Sequence, residues 1–368
     1  MPRRFLPLLL ICLAFAFACD RSEDELPPDP VENRNFQNWT LIVNEGPFQN
    51  GSGTLTAYHP NNGEVIADVY TEVNPDAAPL GNIVQSIYRD EETVWIVVNN
   101  ANRIVVADAR TLEERARWEG FDSPRYFTKP PTGNLGAVTQ WGADLKTGSL
   151  AFVDLTTGEI VNTIPLGPGP ERPRYVGGEL YIPLSGALGR DSTVARVDFA
   201  QQQVTFSYDL GQNPQSVEPL GNGVFVSLGQ GFTADFSNPN DPANRPGALS
   251  IFSRNGNVLR TWDVPLGSKS LTAERADDLW FLTGGFLGQI NVLRLDEDNV
   301  AAATGPEMLT ARRFYQLAFH RTTDQLFASD PKDFQQNGQV VILDLGGTAV
   351  DSFPAGIGPG FISPTEVF

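Results

Sequence analysis

Apolar and polar residues along this chain fall into short runs separated by turn residues. NWTLIVNEG (38–46), TVWIVV (93–98), GVFVSLG (223–229) and QVVILD (339–344) are rich in Val, Ile, Leu and aromatic side chains. That length and composition predict strands. Clusters of Gly, Pro, Asn and Asp between them predict turns. No stretch sustains a helical period, so the chain reads as all-β.

One pattern recurs along it: a strand, a turn with Asp or Gly, and a second strand. The units are GTLTAYHPNNGEVIADVY from Gly53, RIVVADARTLEERARWEG from Arg103, SLAFVDLTTGEIVNTIPLG from Ser149, TVARVDFAQQQVTFSYDLG from Thr193, ALSIFSRNGNVLRTWDVPLG from Ala248, QINVLRLDEDNVAAATG from Gln289 and QVVILDLGGTAVDSFPAG from Gln339. Asp108, Asp154, Asp198 and Asp344 mark one equivalent turn, at spacings of 46, 44 and, across three units, 146. Such a period means one supersecondary unit repeated. Two more strands precede each unit, as PQSVEPL (214–220) and GVFVSLG precede the fifth. Four strands per unit and seven units predict a seven-bladed β-propeller over residues 38–368. The first unit lacks an inner strand, because NWTLIVNEG matches the second strand of later blades. GPGFISPTEVF at the C-terminus aligns with the inner strands QNPQSVEPL and DSPRYFTKP. The C-terminal strand is therefore expected to complete the first blade and leave no open seam.

The N-terminus changes the picture of compartment. Arg3 and Arg4 precede an apolar run, Phe5 to Ala18, that ends at Cys19. A basic segment and a short apolar stretch read as a signal peptide over residues 1–18. Ala16-Phe17-Ala18-Cys19 is a loose lipobox, with Cys19 the expected lipidation site; an ordinary secretory signal is the alternative. Cys12 leaves with the signal, so no disulfide framework is expected. Residues 19–37 are acidic and contain prolines, the composition of a flexible tether. The acidic cluster after Cys19 resembles the signal that sends some lipoproteins to the outer face of the outer membrane. The formal charge is −18, and −20 once Arg3 and Arg4 are lost. That balance argues against nucleic acid and anionic headgroups as partners.

Reactive chemistry is sparse. His59 and His320 are the only histidines, too few for a His/Cys zinc site. Both are expected at strand-to-turn positions, away from where a Ser-His-Asp triad would need them. The prolines of GPGP (167–170) lack the N–H groups of a phosphate cradle. Glu91-Glu92 and Asp277-Asp278 read as solvated hairpin turns. A carboxylate calcium or lactonase-type site has no spacing signature here.

Loop lengths point to one binding face. The connections from second to third strands include NEGPFQNGSG (44–53), TQWGADLKTG (139–148), LGQGFTADFSNPNDPANRPG (228–247) and SDPKDFQQNGQ (329–339), whereas the opposite turns NNG, TTG and RNG are short. Loops on rigid scaffolds are where binding usually resides. These loops carry aromatics among small and polar residues: Phe48, Trp141, Phe232, Phe236, Phe286 and Phe334. They either share an apolar floor with polar rims or pack under their own loops. In SDPKDFQQNG, Asp330 and Asp333 are expected to bond neighbouring N–H groups, leaving Phe334 to meet a ligand or the next blade. The inner strands SPRYF (123–127) and RPRYV (172–176) are expected to put Arg125 and Arg174 at equivalent positions near the channel mouth. The alternative for both is a structural bond to blade carbonyls or Asp.

NEGPFQNGSGTLTAYHPNNGEV, PLGNIVQSIYRDEETVWIVVNNANRIVVADART, the SPRYF strand, NPQSV and SDPKDFQQNGQVVILDLGGTAVDSFPAGIGPG together resemble the lipid-anchored, YVTN-type seven-bladed propellers that bind cobalamin at the surface of Gram-negative bacteria. The resemblance runs from Trp39 to Phe361; the 228–247 insert and the loose lipobox depart from it. It implies a non-enzymatic, cell-surface lipoprotein of the outer membrane. Such a protein captures cobalamin or a related corrinoid as its ligand and passes it to a TonB-dependent outer-membrane transporter, with no cofactor of its own. Asn44, Asn99, Asn100 and Arg125 would then meet the corrin amides and phosphate. By loop geometry, Glu45, Phe48, Trp141, Arg174, Phe232, Phe286, Asp330 and Phe334 complete the expected site. Two other readings stand beside this one: an envelope propeller that grips a protein or glycan, and an enzyme such as a metal-dependent lactonase or a lyase.

Overall fold

The computed structural model describes residues 34–48, 51–234, 238 and 240–364. Cys19, the residues up to 33 that were expected to form a tether, and Phe236 lie outside the described residues. Twenty-eight strands form seven four-stranded antiparallel sheets, which are the blades of a propeller. The inner strands of blades two to seven are Val84–Arg89, Pro124–Thr128, Arg174–Val176, Pro214–Gly221, Leu271–Glu274 and Gln316–His320. Blade one runs Pro359–Ser363, Thr40–Asn44, Thr54–Tyr58, Val65–Ile66 from inside out. Its inner strand comes from the C-terminal end, with Ile42 opposite Ile362 and Val43 opposite Phe361. Ring closure is thus a β-ladder between the two ends of the propeller, as the sequence predicts.

The continuous apolar runs have a simple cause. A second strand in a propeller packs against a neighbouring blade on each face, so both sets of alternating side chains are buried. In Thr93–Val98, Val94, Ile96 and Val98 join a core with blade one, while Trp95 and Val97 join a core with blade three. Seven such apolar clusters occur, one at each blade interface. Outer strands carry the polar pattern instead, and Gln203–Asp209 is exposed except at Tyr208.

Blade one departs from the repeat. Its outer strand is only Val65–Ile66, and the residues expected to extend it turn into a short helix, Val69–Val73. Asp68 causes the change, since its carboxylate accepts from the Thr71 N–H and hydroxyl and so caps a helical turn. The recurring Asp turns behave alike. Asp108 accepts from the Arg110 and Thr111 amides, Asp154 from Thr156 and Thr157, Asp198 from Gln201 and Asp344 from Thr348.

Candidate functional site: a cationic axial cavity

A cavity of about 820 Å³ lies on the propeller axis and is lined by residues from all seven blades. Strand pairing shows which side chains share a level on its wall. Pro124 opens the inner strand of blade three opposite Gln140, and Pro170 occupies the same place in blade four opposite Leu184. The residues that follow them, Arg125 and Glu171, are therefore equivalent. Arg174 pairs with Tyr181 three positions further along. The expected equivalence of Arg125 and Arg174 is corrected accordingly. GPERPRYV holds two prolines, and the strand is registered on the first.

The same rule places Gln85, Gln215 and Gly360 at the Arg125 level, after Val84, Pro214 and Pro359. Lys269 and Tyr315 complete it. The amides after them, Ser270 and Gln316, bond the Thr283 and Ser329 hydroxyls as Tyr126 bonds Thr139. One fold position thus carries Gly, Gln, Arg, Glu, Gln, Lys and Tyr around the ring. Gly360 is there because Glu45 occupies its space. A Cβ on Gly360 would lie 2.2 Å from Glu45 Oε1, so the second-strand carboxylate supplies what the inner strand of blade one omits.

These side chains form a connected set. Arg125 pairs with Glu171 at 3.1 Å, bonds Gln85, and lies 4.2 Å from the Trp141 ring centroid. Burial opposes the Arg125 charge, but Glu171 more than offsets this and keeps its pKa above the ordinary value. The Tyr315 hydroxyl donates to Glu45 Oε1 at 3.1 Å. Burial pushes the Glu45 carboxyl up, against the opposing pull of Lys269 and Tyr315. Burial also lowers Lys269 to about 8, in spite of Glu45. The Lys269 ammonium sits 3.4 Å from the Tyr315 ring centroid and 5.6 Å from that of Phe286, a geometry in which the ring quadrupoles favour the cation.

The aromatic loop tips meet at this rim. Phe334 stacks with Phe286 of blade six at 6.0 Å and meets Tyr315 edge-on at 5.0 Å. It therefore touches its neighbours and lines the cavity at once. Asp333 holds the loop by accepting from the Gln335 and Gln336 amides, and Asp330 accepts from Lys332. Phe334 itself adopts φ 60°, a left-handed conformation unfavourable for a bulky side chain. The loop spends that energy to aim one ring.

Of the residues expected from sequence, Glu45, Phe48, Asn99, Asn100, Arg125, Trp141, Arg174, Phe286 and Phe334 line the cavity. Three do not. Asn44 is fully buried and bonds Thr54, Thr56 and the Gly356 amide, so it braces blade one. Phe232 pairs its backbone with Arg245 in its own loop, and its ring meets the Arg190 guanidinium of the blade-four loop at 3.8 Å from the centroid. Asp330 is committed to Lys332 and Gln339. His59 and His320 are also off the wall; His320 stacks on Phe327 and bonds Thr323.

Sequence reasoning missed Gln85, Glu171, Lys269 and Tyr315. The proline that opens several inner strands was the available signal for Glu171, which follows Pro170. It also missed the electrostatics. The described lining includes six cations, Arg125, Arg172, Arg174, Lys269, Arg275 and Arg321, and the carboxylates Glu45 and Glu218, with Glu171 paired to Arg125 beside the wall. An acidic protein thus encloses a cationic cavity, and a ligand meets the local field rather than the net charge.

Comparison with known proteins extends the fold but not the site. A family model described as a domain of unknown function (DUF5074) matches residues 38–129. No curated protein matches the chain. Among solved structures, the chain is similar to a quinonprotein alcohol dehydrogenase-like protein from Bacteroides thetaiotaomicron, at 14% identity and TM-score 0.63 over 91% of this chain and 80% of that one. It is also similar to a functionally unknown protein from Desulfotomaculum acetoxidans, at 12% identity and TM-score 0.63 over 89% and 98%. A third is the dihydro-heme d1 dehydrogenase NirN in complex with DHE, at 13% and 0.58 over 92% and 78%. Identities this low establish a shared propeller fold alone.

Proposed function

We propose that the protein is a binding propeller that captures a bulky, amide-bearing organic ligand in the axial cavity, with cobalamin or a related corrinoid as the ligand. The observation that carries this reading is the cavity wall. About 820 Å³ of space is bordered by aromatic faces, primary amides and guanidinium groups, within the range of about 300–1,000 Å³ typical of small-molecule sites. A corrinoid exceeds a drug-sized molecule, so part of it would enter the channel and part would lie beneath the loop tips. Asn99, Asn100, Gln85 and Gln215 offer donors and acceptors suited to the corrin's peripheral amides. Phe286, Phe334 and Trp141 offer apolar faces for the ring edge. No covalent step is required, and the protein acts as a carrier rather than an enzyme.

The rim favours a second contact, with protein. Phe48, Leu188 and Phe286 are 77%, 79% and 56% exposed where they border the cavity. Apolar tips around a ligand mouth suit docking onto a transporter during hand-over, in line with a TonB-dependent partner and a Cys19 lipid anchor at the outer membrane. Titration calorimetry of the purified protein with cyanocobalamin tests the ligand. Saturable heat at micromolar protein supports the reading, and no heat removes it. Intact mass with diacylglycerol on Cys19 tests the anchor.

A further inference from the structure

We infer that Lys269 is a capture site for an apolar aldehyde, which its amine holds as a protonated imine inside the cavity mouth. Lys269 differs from the other three lysines of the chain. Lys129 pairs with Asp90 at 2.9 Å, Lys332 donates to the Asn337 carbonyl at 2.7 Å, and Lys146 is exposed on a loop. Lys269 instead lines the cavity wall. Its backbone is fixed just before the inner strand of blade six, because the Lys269 and Ser270 amides both donate to the Thr283 hydroxyl. The side chain ends in a corner of three rings. Its Nζ lies 3.4 Å from the Tyr315 centroid and 5.6 Å from that of Phe286, and Phe334 packs on both rings. Among the described residues no acceptor bonds the ammonium. An amine held against aromatic surface, beside open space and tied to no acceptor, is placed to act as a nucleophile.

The surroundings favour that chemistry. Burial lowers Lys269 to about 8; Glu45 pulls the other way, and the Arg125 charge adds to the effect of burial. About a tenth of the amine is then free at pH 7, against about one part in three thousand for a lysine at 10.5. The free amine attacks the aldehyde carbon, and the carbonyl oxygen takes up a proton to give a carbinolamine. The nitrogen lone pair then forms C=N as the hydroxyl leaves with a proton as water. In total an ammonium and an aldehyde give an iminium and one water, so charge is conserved and no oxidant or reductant is needed. Glu45 lines the same cavity, and burial pushes its carboxyl up. It is therefore suited to take the proton from the nitrogen and return it to the departing hydroxyl. The Tyr315 and Phe286 faces that favour the ammonium favour the iminium in the same way. Phe286 and Phe334 offer apolar surface to the rest of the aldehyde, which sets the class as apolar or aromatic.

The inference goes beyond the corrinoid reading and does not depend on it, so calorimetry with cyanocobalamin and labelling with an aldehyde can fail separately. The test treats the whole protein at neutral pH with benzaldehyde and excess sodium cyanoborohydride, whose hydride fixes an imine as a benzylamine. Peptide mass spectrometry then reads the four lysines. Lys269 is expected to be labelled at least tenfold faster than Lys129, Lys146 and Lys332. Labelling that follows exposure, with Lys146 first, or that spares Lys269, overturns the inference. Glu45→Gln separates proton transfer from charge. Because Glu45 raises the Lys269 pKa, its loss leaves more of the amine free, and an effect through charge alone predicts faster labelling. Labelling at least threefold slower is expected instead. An equal or faster rate overturns the part assigned to Glu45.

Discussion

Two sets of equivalent positions in this propeller behave in opposite ways. On the trimmed face, one turn position carries Asp in four blades, and each carboxylate does the same work for backbone amides. At the cavity mouth, one inner-strand position carries six different residue types in seven blades, with Glu45 standing in where Gly360 leaves room. The repeat keeps a residue where the turn needs it and diversifies where the blades converge on shared space. Within one chain, equivalent positions that agree report on the fold; those that disagree shape the shared axial cavity.

The comparison can be broken most severely at the seam. Truncation before Pro359 removes the inner strand of blade one. It exposes the partners of Phe361 and Ile362, whose burial alone is worth about 3–6 kcal/mol. The melting temperature should collapse; an unchanged melt would show that the ring does not depend on its closing strand. Gly360→Ala probes the mouth. The added methyl must push Glu45 aside, so ligand affinity should fall at least tenfold. A small loss of stability is expected, since the collision is with the end of a side chain. Calorimetry and a thermal melt on the same sample separate the two effects.

Phe334→Ala comes next. Its contacts with Phe286 and Tyr315 are worth about 0.5–1.5 kcal/mol, so the melt should drop slightly while affinity falls several-fold. A lowered melt with full affinity would make the ring a brace and not a contact. A fourth variant, Lys269→Met, reads the ring through pH. Lys269 titrates near 8 when folded against an ordinary value of 10.5. Between these values the unfolded chain binds the extra proton, so the Lys269 contribution to stability rises with pH from about 8 to 10. The wild type should gain on Lys269→Met across that window in denaturant titrations, and parallel curves would refute the shift.

The smallest effect belongs to the turns. Burial works against the Asp108 charge, but the Thr111 and Arg110 amides and Arg115 hold its carboxyl below the usual range. Its contribution is present above the unfolded pKa and is lost as pH falls through the lower folded value. Asp108→Asn should therefore melt slightly earlier at pH 7, with the difference shrinking as pH falls below the ordinary carboxylate range. A gap that persists in acid would mean the turn does not depend on this charge.

How much was legible in the sequence varies with the range of the interaction. Strands, turns and the seven-fold repeat follow from local pattern, because both faces of a middle strand must be apolar and each hairpin must turn. The closing strand was readable too, since GPGFISP matches other inner strands. The aromatic loop tips were readable as a class. Phe334 shows the limit of that: the Asp330 and Asp333 turns were predictable, while its contact with Phe286 needed two loops 48 residues apart to be brought to one rim. Phe232 looked alike in sequence and packs elsewhere.

What only the tertiary structure decided was register and charge. A one-proline ambiguity in GPERPRYV moved Arg174 away from the mouth and put Glu171 beside Arg125, because strand pairing, not local spelling, sets the level of a side chain. Net charge gave the sign of the surface as a whole. The opposite sign of the cavity arises because seven inner strands converge on one axis and bring together cations that lie as far apart in the chain as Arg125 and Arg321.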